Sequence, residues 1–179
     1  MSAKVNRSAI EYQGRIFSMV SENITLANGT TLDIAIIRHP GASAIIPLLD
    51  KDTMIVLTQY RHAIGEYIWE IPAGTFNRNE SAFECAKREL MEETGYVANE
   101  WHPLGFIFPL PGYSDERIHI FLARDLILTD QNLDRDEMLD VHKVKINDVL
   151  QMISQGKIQD SKTISGIFMA IKWLEQEIR

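Results

Sequence analysis

Residues 74–96 read GTFNRNESAFECAKRELMEETGY and form the most informative pattern in this chain of 179 residues. The pattern combines glycines, one arginine and several glutamates at fixed spacing: Gly74, Glu80, Arg88, Glu89, Leu90, Glu92, Glu93, Gly95 and Tyr96. If each of the seven fixed residue types is drawn at about one in sixteen and the two apolar positions are also required, a chance match somewhere in a chain of this length has odds on the order of one in ten million. The spacing therefore indicates a functional segment rather than an ordinary acidic surface helix.

The segment from Asn77 to Thr94 is predicted to be a helix. Asn79 is its expected N-cap, and Gly95 is its expected left-handed C-terminal stop. At 3.6 residues per turn, one narrow apolar stripe is expected to pack against the rest of the protein, and it contains Phe83, Ala86 and Leu90. Cys85 is expected on the side of the helix away from this stripe, with an incidental role.

Three glutamates lie together beside the apolar stripe. Glu89, Glu92 and Glu93 fall within an arc of roughly 100° on the helical wheel. Like charges four residues apart cost a few tenths of a kcal/mol in an exposed helix, so this cluster requires a compensating cation. Arg88 can pair with Glu84 or Glu92, and a hard divalent metal would balance the remaining charge, because Mg²⁺ prefers carboxylate and water oxygens.

The composition is that of one soluble globular protein with a sizeable core. Apolar residues make up 45% and charged residues 24% of the chain. A net charge of −7 without a basic block argues against binding to nucleic acid or to an anionic membrane. A single cysteine excludes an intrachain disulfide, and no apolar segment has the length of a signal peptide or membrane span, so a cytoplasmic location is expected. The five histidines lack metal-ligand spacing, which argues against a zinc site.

Strand patterns dominate the first 75 residues, and helices follow near the end. A hairpin is predicted from residues 15–21 and 31–38 around Asn28-Gly29, and a second from residues 43–49 and 53–60. Further strands are predicted at residues 68–71, 104–108, 118–123 and 140–145, and helices at residues 147–155, capped by Asn147, and 161–178. This order favours an α+β sandwich.

The pattern at residues 74–96 resembles the signature box of the Nudix hydrolases and departs from it nowhere. The resemblance implies a Nudix-type α/β/α sandwich with a mixed sheet and N-terminal antiparallel strands. It further implies that residues 1–40 are a strand extension used for homodimerisation and that residues 41–179 are the hydrolase domain.

Other stretches are similar to one Nudix subfamily, the diphosphatases of ADP-ribose and nucleoside diphosphate sugars: residues 38–42 (RHPGA), 59–61 (QYR) and 69–74 (WEIPAG). Pro111 stands 15 residues after Tyr96, where the ADP-ribose hydrolases of the family carry a proline. The implied activity is Mg²⁺-dependent (or Mn²⁺-dependent) hydrolysis of the diphosphate linkage, giving a nucleoside monophosphate and a sugar phosphate. A broader hydrolase of GDP-mannose or ADP-glucose type stays open, as do hydrolysis of nucleoside triphosphates or dinucleoside polyphosphates and a non-catalytic ADP-ribose sensor. Such sensors usually lose box glutamates, and this chain retains them.

The resemblance also assigns roles to individual residues. The implied metal ligands are Glu89, Glu92, Glu93 and the backbone carbonyl of Ala73, and the implied catalytic groups are Arg88, Glu89, Glu93 and Glu116. Arg88 would orient carboxylates, and Glu80 would brace the turn before the helix. Glu116 is the candidate general base on the loop of residues 111–116, with Asp115 as the neighbour most easily confused with it.

The assignment of residues that contact the nucleotide rests on side-chain chemistry alone. Arg61 and Arg38 are candidates for binding the phosphates or the terminal ribose, because a guanidinium can donate two hydrogen bonds at once to phosphate oxygens. Glu70 is a candidate acceptor from a base amine or a ribose hydroxyl. Phe17 or Tyr12 is expected to stack on the base, with Phe17 contributed to the site of the partner subunit in the homodimer.

Overall fold

The computed structural model describes residues 2–133 and 138–177. Its strands are β1 (Lys4–Gln13), β2 (Ser18–Thr25), β3 (Thr31–Arg38), β4 (Ala42–Pro47), β5 (Thr53–Arg61), β6 (Glu66–Glu70), β7 (Ala73–Thr75), β8 (Tyr96–Ile107), β9 (Ile118–Leu128) and β10 (Leu139–Lys145). Its helices are α1 (Ala82–Thr94), α2 (Ile146–Ser154) and α3 (Ser161–Glu177). The chain divides into two compact units: a first unit of residues 1–41 and 108–117, and a second unit of residues 42–107 and 118–179.

The first unit contains an antiparallel sheet with the strand order β1-β2-β3. The predicted hairpin is present as β2 and β3, and Gly29 in its turn has a φ of 85° that suits glycine. Strand β1 was not predicted, because all ten of its residues are exposed and its sequence lacks a buried alternating face. Residues 108–117 belong to this unit through hydrogen bonds that join Ile37 to Tyr113 and Asp115.

The second unit contains two sheets. One has the order β7-β4-β9-β8 and is mixed, since β4 pairs parallel with β9 and antiparallel with β7. The other has the order β10-β5-β6. The predicted second hairpin is therefore wrong: β4 and β5 belong to different sheets and meet at the isolated Leu48–Met54 bridge. The reason is that both edges of the fully buried β4 are taken by β7 and β9.

Helices cover opposite faces of the central strand β4. Ile45, on one face, packs with Ala86 and Leu90 of α1. Ile46, on the other face, belongs to the same cluster as Val149 of α2 and Ile167 of α3. Because successive side chains of a strand point to opposite faces, one buried strand serves both layers. The predicted α+β class and α/β/α layering are thus present.

The boundaries of the helices differ from those predicted. Helix α1 begins at Ala82 with Ser81 as its N-cap, whereas Asn79 lies before it with a φ of 64°. Ser81 and Glu84 form a reciprocal capping box, which satisfies two backbone N–H groups at the start of the helix. Lys145, rather than Asn147, occupies the N-cap position of α2. The predicted end of the last helix, Ile178, lies outside the described residues.

Two further expectations for α1 also change. Cys85 is fully buried, contrary to the prediction that it lies away from the packed face, and its Sγ is 3.3 Å from the carbonyl oxygen of Gly74. Phe83 lies at the exposed border of the apolar stripe and packs edge-on against Trp101. The helix therefore has a wider packed face than the wheel predicts. Among the described residues, no helix has both the length and the apolar character needed to span a membrane.

Candidate active site

The short strand β7 and helix α1 approach each other closely at Gly74. A Cβ atom added to Gly74 would lie 1.8 Å from Oε1 of Glu89 and 2.1 Å from its Cδ. No side chain can occupy that space while Glu89 keeps its position, which explains why the box has a glycine there. The backbone of β7 and the carboxylate of Glu89 are therefore held in direct contact.

Two of the box glutamates are buried at this contact. Glu89 is 6% exposed and Glu93 is 2% exposed, whereas Glu92 lies partly in solvent. Oε2 of Glu93 accepts a hydrogen bond of 2.9 Å from the backbone N–H of Ala73. Buried carboxylates four residues apart are costly without nearby positive charge. The arrangement therefore favours binding of a cation.

Arg88 supplies part of that positive charge. Its Nη1 donates to Oε1 of Glu89 at 2.5 Å and to Oε2 of Glu92 at 3.0 Å, and its Nε donates to Oε1 of Glu80 at 2.8 Å. The hydrogen bond to Glu80 is the largest cause of the raised pKa of Arg88, and it also lowers the pKa of Glu80. The alternative pairing of Arg88 with Glu84 does not form, because Glu84 caps the helix.

Glu80 connects this arginine to the loop before α1. Its Oε2 accepts hydrogen bonds from Nη2 of Arg88 at 2.9 Å and from the backbone N–H of Asn77 at 2.8 Å. Nη2 of Arg88 also donates to the carbonyl of Thr75 at 3.1 Å. Glu80 and Arg88 thus hold the loop against the helix, as expected for a brace of this turn.

The donor set suits a hard divalent metal, although no finished coordination cage is present. Within residues 2–133 and 138–177, no three His, Cys, Asp or Glu side chains form a group that could hold a metal ion. Instead, the guanidinium of Arg88 bridges Glu89 and Glu92, and Glu93 accepts from the Ala73 amide. The glutamates of the box still outnumber its one arginine, and carboxylate oxygens are the ligands that Mg²⁺ prefers.

A second charged cluster in the same unit joins two predicted substrate contacts. Arg61 donates two hydrogen bonds to buried Glu70, from Nε to Oε1 at 2.9 Å and from Nη2 to Oε2 at 2.5 Å. Burial is the largest influence on the pKa of Arg61 and lowers it, but the hydrogen bonds and charge of Glu70 and the charges of Glu93 and Asp160 raise it overall. Glu70 thus holds the arginine in place, and its direct contact with substrate stays a prediction.

Three residues around the start of α3 complete this cluster and were not predicted. Nζ of Lys162 lies 3.0 Å from Oε2 of Glu70 and 3.0 Å from Oδ2 of Asp160. Oδ2 of Asp160 also accepts from the N–H of Thr163 at 2.9 Å, and Oγ1 of Thr163 accepts from the N–H of Ile71 at 2.9 Å. The sequence contained one usable signal, because Asp160 is a typical N-cap three residues before Thr163.

The remaining predicted residues lie in the first unit. Arg38 pairs with Oδ2 of Asp115 at 3.0 Å and with Oε1 of Glu22 at 2.7 Å, and the N–H of His39 donates to Oδ1 of Asp115 at 2.9 Å. Asp115 is therefore engaged through both oxygens in holding this unit together. Oε1 of Glu116 lies 3.8 Å from Nδ1 of His39, and this nitrogen accepts a hydrogen bond from the N–H of Gly41. This difference favours Glu116 over Asp115 as the candidate base.

Phe17, the predicted stacking residue, also lies in the first unit. Its side chain is 41% exposed, and its ring centre is 6.1 Å from that of Tyr12 in a tilted arrangement. Since the two rings are adjacent, both candidates for base stacking belong to one aromatic surface.

The NUDIX domain model matches residues 38–165, which is most of the chain. The chain belongs to the Nudix family. The ADP-ribose pyrophosphatase of Bacillus subtilis (strain 168) is 34% identical over 158 residues, covering 87% of this chain and 85% of that protein. A methanol dehydrogenase activator of Bacillus methanolicus is 35% identical over 158 residues, with the same coverage of 87% and 85%.

The same fold occurs in a solved structure. The crystal structure of an ADP compounds hydrolase superposes with a TM-score of 0.86 at 21% identity, covering 99% of this chain and 96% of that one. At this low identity the superposition supports the fold alone. The family, the fold and the hydrolase class predicted from the sequence are confirmed.

Proposed function

We propose that this Nudix protein hydrolyses the diphosphate linkage of ADP-ribose or a related nucleoside diphosphate sugar. The products are a nucleoside monophosphate and a sugar phosphate. The observation that carries this proposal is the intact acidic cluster of Glu89, Glu92 and Glu93, set against the backbone at Gly74. The likeness to a protein named ADP-ribose pyrophosphatase supports the choice of substrate class.

The chemistry requires water to attack a phosphorus atom surrounded by negative oxygens. Mg²⁺, or Mn²⁺ in its place, would neutralise that charge and lower the pKa of a bound water. The residues that would hold the metal are Glu89, Glu92, Glu93 and the carbonyl of Ala73. Arg88 orients the carboxylates of Glu89 and Glu92 through its Nη1, and Glu93 fixes the segment of Ala73 through the backbone N–H.

Glu116 is the proposed general base, which takes a proton from the attacking water. It lies on the loop of residues 111–116, and loops carry many catalytic groups that must approach a substrate. Asp115 is a poorer candidate, because Arg38 and His39 already engage both of its oxygens.

Substrate contacts are proposed for both units. In the second unit, Arg61 offers a guanidinium that Glu70 holds in a fixed orientation. In the first unit, Arg38 is proposed to bind phosphate or ribose, and Phe17 is proposed to stack on the base. We assign residues 1–40 to a dimerisation extension and residues 41–179 to the hydrolase domain.

A homodimer is proposed because the first unit exposes several large apolar side chains: Val5, Ile10, Tyr12, Phe17 and Met19. Exposed apolar surface of this kind is typical of a protein interface. The net charge of −7 further supports a small anionic substrate delivered with cations rather than nucleic acid as a partner. The cytoplasmic location stays a prediction.

The deciding experiment measures phosphate-monoester release from ADP-ribose, GDP-mannose, ADP-glucose, UDP-glucose and a nucleoside triphosphate. Each assay contains Mg²⁺ and is repeated with excess EDTA. We expect the highest kcat/KM with ADP-ribose and complete loss of activity in EDTA. Comparable rates with several sugars would instead identify a broad nucleotide-sugar hydrolase. No release from any substrate would overturn the proposal and favour a ligand-binding sensor.

A further inference from the structure

Two of the glutamates required by the proposed function lie in the C-terminal turn of their helix, where a helix is least stable. Glu92 and Glu93 come directly before Thr94, the last residue of α1. Residues 91–94 contain no lysine or arginine, although the partial negative charge at a helix C-terminus favours cations and disfavours glutamate. Helix ends also fray, because their last carbonyl groups have no partner within the helix. Contacts from outside α1 must therefore hold this turn in place.

The segment of residues 129–132, which follows β9, supplies these contacts. It belongs to the second unit, as α1 does. Three of its residues donate hydrogen bonds to carbonyl oxygens at the end of α1: the N–H of Asn132 to Glu92 at 3.1 Å, Nε2 of Gln131 to Glu93 at 2.5 Å, and the N–H and Oγ1 of Thr129 to Gly95 at 2.6 Å and 3.1 Å. Carbonyl groups that the helix leaves without partners are thus paired by this segment.

Gly95 leaves room for the segment to approach. A Cβ atom added to Gly95 would lie 3.2 Å from the backbone nitrogen of Gln131 and 3.2 Å from the carbonyl oxygen of Thr129. Both distances are shorter than an ordinary van der Waals contact, and both atoms belong to the main chain, which cannot turn away as a side chain can. The glycine that ends the helix is therefore also the point at which residues 129–132 pack against it.

Both glutamates of the last turn are held at two points. Each has one contact through its carboxylate and one through its carbonyl oxygen: Glu92 with Arg88 and Asn132, and Glu93 with Ala73 and Gln131. The contact made by Gln131 differs from that of Asn132, because it comes from a side chain. It can therefore be removed by substitution without changing the backbone of the segment.

Termination of the helix does not account for Gln131. The N–H of Gly95 already donates to the carbonyl of Met91 at 2.9 Å, as in helices that end at a left-handed glycine. The pairing of a buried carbonyl does contribute to stability, since Glu93 is 2% exposed. That contribution alone would leave metal binding by the folded protein unchanged, so the two roles lead to different measurements.

We propose that Gln131 is a positioning residue for the metal-binding carboxylate of Glu93 and acts through the main chain of that glutamate. The inference rests on the proposed function, because it takes Glu93 as a ligand of Mg²⁺. Residues that orient a metal ligand affect the affinity for the metal, and small displacements at a reacting centre have large effects on rate. Gln131 thus contributes to the reaction only through Glu93.

The test compares Gln131→Met with Gln155→Met. Methionine is about as long and flexible as glutamine but cannot donate a hydrogen bond. Gln155 is exposed at the C-cap of α2 and serves as the matched control. In calorimetric titrations with Mn²⁺ alone, Gln131→Met is expected to bind the metal at least about threefold more weakly than wild type, and Gln155→Met is expected to bind it equally well. A smaller loss of affinity in Gln131→Met would overturn the proposal.

Kinetics and thermal melting separate positioning from stability. With ADP-ribose, Gln131→Met is expected to raise the Mg²⁺ concentration for half-maximal activity by a similar factor, while KM at saturating Mg²⁺ stays near that of wild type. A lower melting temperature with unchanged metal constants would identify a purely structural role and overturn the proposal. If Gln131→Met does not fold, Gln131→Ala is measured in its place, with the same expected results.

The Mn²⁺ titration also distinguishes this inference from the proposed function. If the wild type hydrolyses none of the nucleotide sugars, the proposed function fails by itself. Weaker binding of Mn²⁺ by Gln131→Met would still support the positioning role, because no substrate is present in that measurement. Absence of Mn²⁺ binding by the wild type would overturn the inference.

Discussion

Glu93 is the residue at which charge and shape can be separated most cleanly. Glutamine at this position keeps an oxygen that can accept from the Ala73 amide but removes the negative charge. We expect Glu93→Gln to lower metal-dependent kcat at least about a hundredfold while the melting temperature stays near that of wild type. Steady-state kinetics with Mg²⁺ and thermal melting measure the two effects. Glu84→Gln is the matched control on the same helix, and full activity in Glu93→Gln would contradict the metal assignment.

A substitution at Gly74 tests whether the backbone must lie in direct contact with the carboxylate of Glu89. A Cβ atom there would overlap Glu89, whose carboxylate is buried and held by Arg88. Gly74→Ala should therefore displace Glu89, lower the free energy of unfolding by about 1–3 kcal/mol and raise the Mg²⁺ concentration needed for half-maximal activity. Gly112→Ala meets open space and should leave unfolding unchanged. Wild-type metal dependence in Gly74→Ala would show that the space is not required.

The reactivity of the Cys85 thiol reports how well the side chain is buried at the site. Burial, reinforced by the negative charge of Glu89, raises the pKa of Cys85 to about 12. Because the thiolate is the reactive form, only about one thiol in ten thousand is ionised at pH 8. We expect a coloured disulfide reagent to leave the native protein unmodified at pH 8 and to react fully in guanidinium chloride. Rapid reaction of the native protein would place Cys85 in solvent.

At the scale of the element, substitutions can distinguish the two candidates for the N-cap of α1, Ser81 and Asn79. Ser81→Ala removes the side chain that accepts from Glu84, and it should lower the free energy of unfolding by about 1 kcal/mol. Asn79→Gly removes the side chain predicted as the cap but suits the left-handed backbone at that position, so it should have little effect. Urea denaturation of both variants tests the assignment, and the reverse order of stabilities would contradict it.

The helices and strands also show how much of the fold and of the site could be predicted from the sequence. The box was predictable because its contacts are local: Arg88, Glu89 and Glu92 meet within two turns of one helix. Lys162 was not predictable, because its partner Glu70 is remote in sequence and no spacing rule connects them. The hairpin of β2 and β3 was found from Asn28-Gly29, whereas the turn between β4 and β5 also looked like a hairpin and joins two sheets instead. Local signals locate turns but do not choose the partner of a buried strand.

At the scale of the whole molecule, the predicted homodimer has a direct test. The first unit exposes Ile10 and Tyr12 on strand β1, and burial of such apolar side chains would stabilise association. Light scattering at micromolar concentration is expected to give twice the mass of the chain, and Ile10→Asp is expected to shift it towards the monomer. Leu128→Asp, which places the same charge on an exposed apolar residue of the second unit, is the control. A monomeric wild type would also remove the proposed cross-subunit role of Phe17.

The parallel pairing of β4 with β9 has a consequence for the order in which the protein is made. Ala42 pairs with Ile118, so the whole box lies in the stretch of chain between these two strands. Pairing over such a distance is slow, because a long loop must close before its contacts form. As the ribosome releases the chain, the glutamates of the box emerge before β9 does. The nascent protein thus carries its complete signature sequence for some time before it has the sheet that sets those glutamates in place.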